Sequence, residues 1–156
     1  MLTGSILTPQ GFLRGRLHFS QRIEAIEEAP VEGPYILPGF LDLHVHGGGG
    51  REVMEGQEGV EATVRFHLGH GTTGLLATTV TAPLDQLERA LKGVRWAMEG
   101  PWGKALLGVH LEGPFISPHR LGAQPPFPLP PDQEVAQGLL SLAPVRVVTL
   151  APELPG

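Results

Sequence analysis

The 156-residue chain has no cysteine and no asparagine. Without cysteine there can be no disulfide, no thiolate metal site and no cysteine nucleophile. Lysine is scarce, two residues against nine arginines, and the formal net charge is -5. Acidic and basic residues are interspersed, so no basic stripe marks a nucleic-acid partner and no polybasic segment marks a membrane surface. Apolar runs fall far short of the roughly 18 residues of a spanning helix. The first residues, Met1-Leu2-Thr3-Gly4-Ser5, lack a positive segment followed by an apolar one, so the expected location is the cytoplasm. The sixteen prolines and missing thermolabile residues fit a heat-adapted source, and a biased genomic composition fits them equally.

What the chain does have is two kinds of pattern. Residues 1–38 read as short strands. Leu2 to Leu7 and Phe12 to Phe19 flank the turn signal Thr8-Pro9-Gln10-Gly11, and a third run covers Arg22 to Glu27. Such a β-meander needs another layer to be stable. Residues 39–156 alternate strand-like and helical runs. Gly39 to Val45 predicts a buried strand, with a helix over 57–68 after it. Gly74 to Val80 predicts a second strand. Leu84, Leu87, Leu91, Val94 and Met98 then recur at helical spacing, with Pro83 fitting the first helical position. Lys104 to Leu111 predicts a third strand, 114–131 a proline-rich loop, 132–142 a short helix and Val145 to Leu150 a fourth strand. Four strands alternating with helices imply parallel βα units in an α/β fold. A (β/α)8 barrel takes about 250 residues, so residues 39–156 correspond to about half of one.

Two motifs carry the chemistry. In His44-Val45-His46, at the end of the first βα strand, residues two apart face one side, as two ligands of one metal require. The bland alternative is a pair of satisfied polar residues at a strand end. The strand is entered through Pro38-Gly39 and left through Gly47 to Gly50, glycines that let backbone approach an ion. In Gly108-Val109-His110-Leu111-Glu112-Gly113-Pro114, an apolar strand ends in His110 and Glu112 on one face. A carboxylate there is costly unless paired or bound to a cation, and the alternative for Glu112 is a surface carboxylate. His18 is expected to be solvated. His67 and His70 suit the end of the first helix, and His119 lies in the proline-rich loop. Trp96 and Trp102 are expected to pack.

Together these segments resemble the N-acetylglucosamine-6-phosphate deacetylases of the amidohydrolase superfamily. The resemblance includes Pro38 to Gly48, Gly71-Thr72-Thr73-Gly74, His110 to Phe115 and Thr149-Leu150-Ala151-Pro152-Glu153. It implies the first half of an amidohydrolase-type (β/α)8 barrel, preceded by strands of a small β-sandwich. It implies a divalent metal, zinc or iron, with Glu112 as principal ligand and His44 and His46 at a second position. Ala123 and Gln124 are the implied contacts to an amino sugar phosphate, with Gln124 standing where the family usually has His. The implied reaction is hydrolysis of the acetamide to glucosamine 6-phosphate and acetate. The family takes two further His ligands and a catalytic Asp from later strands, so this chain alone is expected to be weakly active or inactive. The alternative is a non-catalytic half-barrel that binds metal or a partner. Open strand edges predict a homo-oligomer, a dimer in the simplest case, or a complementing chain.

Overall fold

The structure, a computed structural model, describes residues 1–155. The chain divides into two compact units, Met1–Gly39 and a second beginning at Phe40, one residue beyond the boundary read from the sequence.

The first unit is a four-stranded sheet of order β3-β2-β1-β4, built from β1 (Leu2–Thr8), β2 (Gly11–Phe19), β3 (Ile23–Glu28) and β4 (Tyr35–Ile36). The first three form the predicted antiparallel meander. The turn between β1 and β2 closes through the Thr8 hydroxyl, which donates to the Gly11 carbonyl at 2.8 Å, and Gly11 takes the positive φ its lack of Cβ permits. β4 was not legible in the sequence. It pairs parallel with β1 over only two residues, too short for an alternating pattern to show.

The second unit carries the candidate site. Its main strands are β5 (Phe40–Val45), β8 (Thr72–Thr78), β9 (Leu106–Glu112) and β10 (Val145–Thr149), all parallel, in the order β10-β9-β8-β5. Between them lie β6 (Gly47–Gly48), β7 (Arg51–Glu52), α1 (Gln57–Leu68), α2 (Leu84–Glu99) and α3 (Gln133–Leu142). This is the α/β architecture expected, the first half of a (β/α)8 barrel. The predicted elements are all present, with ends shifted by one or two residues. Pro83 stands at the N-cap of α2, one residue before the helix. The Asp132 carboxylate caps α3 by accepting from the Val135 amide at 3.0 Å.

The core lies on the helix side of this sheet. Val60 and Val64 of α1 and Leu87, Leu91 and Val94 of α2 pack with Leu75, Ala77, Val109 and Leu111 of the central strands. The opposite side is less covered. β5 was expected to be buried, and the structure corrects this: its only sheet neighbour is β8, and Leu41 is 67% and Leu43 55% exposed. The run of apolar residues is what a strand closed in on both faces carries, but Phe40 is 60% exposed as well and only Val45 of this strand is buried.

The four glycines after β5 also have a different use from the one expected. Gly47 and Gly48 pair with Arg51 and Glu52 across a tight turn in which Gly49 and Gly50 both have positive φ. A Cβ on Gly48 would stand 2.8 Å from the Phe66 ring, so the glycines let this hairpin lie against α1. Trp96 is a further correction. It is on the exposed side of α2, not packed, because the buried face is filled by Leu87, Ala90, Leu91, Val94 and Ala97.

Candidate metal centre

Parallel register sets the ends of the four strands at one level. Val45 stands opposite Ala77, Thr78 opposite His110, and Glu112 opposite Thr149. This brings His44, His46 and Glu112 together, with ligand atoms all within 4.8 Å of one another. Nε2 of His44 and Nε2 of His46 are 2.9 Å apart. Glu112 Oε2 lies 3.3 Å from the first and 3.2 Å from the second.

The electrostatics of this triangle are unusual for a carboxylate. The Glu112 side chain is only 16% exposed, and its Oε2 is buried with no properly directed hydrogen-bond donor. An acceptor taken from water without replacement carries a free-energy cost. A cation would supply what is missing. The residues present fit one: a carboxylate oxygen and two imidazole nitrogens suit zinc or iron.

The orientations of these three side chains are set by residues that sequence reasoning did not single out. Nδ1 of His46 donates to the Thr78 carbonyl at 3.2 Å, which leaves the lone pair on Nε2, toward Glu112. The Thr78 hydroxyl accepts from the Val45 amide at 2.9 Å. The Thr79 hydroxyl accepts from the Glu112 amide at 3.2 Å, and the Thr79 amide donates to the His110 carbonyl. Thr78 and Thr79 are fully buried. Their sequence signal was present: polar residues ending an apolar strand at the level of the two His- and Glu-bearing motifs.

His110 is buried beside the triangle, 6% exposed, with its ring edge-on to His44 at a centroid distance of 4.8 Å. Burial holds its pKa below the usual imidazole range, against the opposing effect of its bond to the Leu43 carbonyl. Asp42 is outside the triangle. Its carboxylate accepts from the His44 amide at 3.1 Å.

The other sequence candidates lie elsewhere. Gln124 accepts through its side-chain carbonyl from the Thr81 amide at 2.7 Å, which ties the proline-rich loop to the segment following β8. Ala123 is exposed beside it. His67 bonds the Gly47 carbonyl through Nε2 at 3.0 Å, His70 bonds the Phe66 carbonyl, and His18 pairs with Glu27. His119 is exposed. No helix among the described residues is long and apolar enough to cross a membrane.

Comparison with known proteins places the chain in a family and bears out its fold. The amidohydrolase family model matches residues 35–153. The N-acetylglucosamine-6-phosphate deacetylase of Bos taurus is 38% identical over 97% of this chain, which covers 38% of that protein. The N-acetylgalactosamine-6-phosphate deacetylase of Escherichia coli O157:H7 is 39% identical over 86% of this chain and 38% of that one. The crystal structure of N-acetylglucosamine-6-phosphate deacetylase from Thermotoga maritima superposes with a TM-score of 0.87 at 29% identity, over 100% of this chain and 43% of that chain. The chain thus spans less than half the length of these relatives.

Proposed function

Because the chain belongs to the amidohydrolase family and its fold is the first half of that family's barrel, we propose that His44, His46 and Glu112 hold a divalent cation, zinc or iron, and that the site serves the deacetylation of N-acetylglucosamine 6-phosphate to glucosamine 6-phosphate and acetate. The observation that carries this reading is the buried Glu112 Oε2 without a donor, facing two imidazole nitrogens. When bound, the cation supplies Lewis acidity toward an amide carbonyl and toward water. The protein's part is to hold the ligands: Thr79 fixes the Glu112 backbone, and Thr78 fixes the His46 tautomer. Ala123 and Gln124 are the proposed contacts to the sugar phosphate. Gln124 spends its carbonyl on Thr81 and keeps its amide N–H groups for an acceptor. The relatives include deacetylases of both the glucosamine and the galactosamine sugar phosphates. A comparison of acetate release from the two therefore belongs with any activity test.

The test is elemental analysis of the purified chain after zinc loading and dialysis, beside the His44→Ala/His46→Ala/Glu112→Ala variant. The wild type should retain metal and the variant should not. Equal content in the two would refute the assignment. A second reading, a half-barrel that acts through assembly with itself or with a complementing chain, is favoured by the exposed Leu41, Leu43 and Val148 on the two edge strands.

A further inference from the structure

The ladder between β5 and β8 shifts register between Asp42 and Val45, so Leu43 and His44 have no partner residue on β8. The Leu43–His44 peptide therefore needs partners from outside the ladder. Its N–H, on His44, donates to the Asp42 carboxylate at 3.1 Å. Its C=O, on Leu43, accepts from Nδ1 of His110 at 3.2 Å. That second bond joins strands that are not neighbours, because β8 lies between β5 and β9. Two strand spacings are roughly 9–10 Å, so the bond is possible only across the concave side of a curved sheet. Nε2 of His110 accepts from the Thr149 hydroxyl of β10 at 2.7 Å. With Thr149 donating to Nε2, the ring proton sits on Nδ1, where the Leu43 carbonyl needs it.

From this geometry we infer that His110, set in its tautomer by Thr149, is a positioning residue for the metal site: it clamps the Leu43–His44 peptide and packs edge-on against His44, aiming that imidazole at Glu112. The inference rests on the metal reading above. It adds Thr149 and His110 as a relay from the far strand to the first ligand, and gives Asp42 the other half of the clamp. The relay runs Thr149, His110, Leu43–His44, so all four parallel strands hold the site, β8 acting through Thr78 and through Thr79 immediately after it.

Cobalt(II) tests it, since its visible absorption reports ligand geometry as well as occupancy. His110→Leu keeps an apolar bulk and removes both ring nitrogens. Its cobalt affinity should fall by roughly 10–100-fold, the usual loss for outer-shell partners, with an altered spectrum. His110→Asn carries an amide nitrogen about where Nδ1 stands and should recover part of the affinity. Thr149→Val should shift affinity and spectrum in the same direction as His110→Leu, and the two together should be less than additive. His67→Ala, a variant outside the site, should change thermal stability without changing the spectrum. A folded His110→Leu with wild-type affinity and spectrum would overturn the inference. Should that variant not fold, a wild-type affinity and spectrum in Thr149→Val would overturn it. A wild-type chain that binds no cobalt would overturn the metal reading and this inference together. Binding in the wild type with no effect of the variants would overturn the inference alone.

Discussion

At the residue scale, Glu112 combines two opposite roles. In the metal-free chain its Oε2 is a buried acceptor without a donor, which is a cost. In the proposed metal site the same atom is a ligand of the cation. Glu112→Gln removes the charge and nearly keeps the shape. The metal-free variant should melt no lower than the wild type, while the rise in Tm that zinc gives the wild type should vanish. Ligand-linked stabilisation is about 2.7 kcal/mol at a hundredfold excess over Kd, large enough for a thermal-shift measurement to resolve. A full zinc-dependent rise in the Gln variant would count against Glu112 as a ligand. His67→Ala makes the contrast. It loses the bond to the Gly47 carbonyl, worth roughly 0.5–1.5 kcal/mol, and should lower Tm with the zinc response intact. The convergence of His44, His46 and Glu112 was legible in the sequence because two-residue spacing at strand ends is a local signal. The hydrogen bonds of His110 were not, because its partners Leu43 and Thr149 lie 67 and 39 residues away. Nothing local states which strand ends will meet.

At the element scale, packing outweighs propensity at Gly93. A glycine inside α2 costs about 1 kcal/mol relative to alanine in an exposed helix. A Cβ at this position, however, would stand 2.6 Å from the Gly56 Cα and 2.5 Å from the Gln57 amide nitrogen, at the start of α1. The two helices meet backbone to backbone there, and overpacking typically costs about 1–3 kcal/mol. Gly93→Ala should therefore destabilise the chain in spite of the better helix former, as a lowered midpoint in urea would show. An unchanged or raised midpoint would mean that the helices separate freely. The helices themselves were readable from the three- and four-residue recurrence of Leu87, Leu91 and Val94. The hairpin β6–β7 was not, since four glycines read equally well as a loop, and only their seat against Phe66 distinguishes the two.

At the scale of the whole molecule, the parallel sheet has β5 and β10 as its edges. Leu41 and Leu43 on one edge and Val148 on the other are exposed. Unpaired strand edges flanked by apolar side chains are templates for further pairing, and most soluble oligomers close with symmetry. The 156-residue chain, 16.7 kDa, should therefore sediment as a dimer or larger at micromolar concentration. A clean monomer would show that the edges tolerate solvent. Activity is expected to be low for this chain alone. His110 is committed to Leu43 and Thr149, and Asp42 to the His44 amide, so both carry structural hydrogen bonds rather than standing free as a general base. General acid–base groups contribute about 10²–10⁴-fold. Turnover in the common range of about 1–10³ s⁻¹, on a preparation free of host enzyme, would contradict this part of the account.

The central claim is that one cation sits between His44, His46 and Glu112. Anomalous diffraction from crystals grown with zinc, recorded on both sides of the zinc absorption edge, tests it most directly. The account predicts an anomalous peak bonded to Nε2 of both histidines and to the Glu112 carboxylate. An ordered Glu112 with no peak beside it, or a peak held by other residues alone, would contradict it.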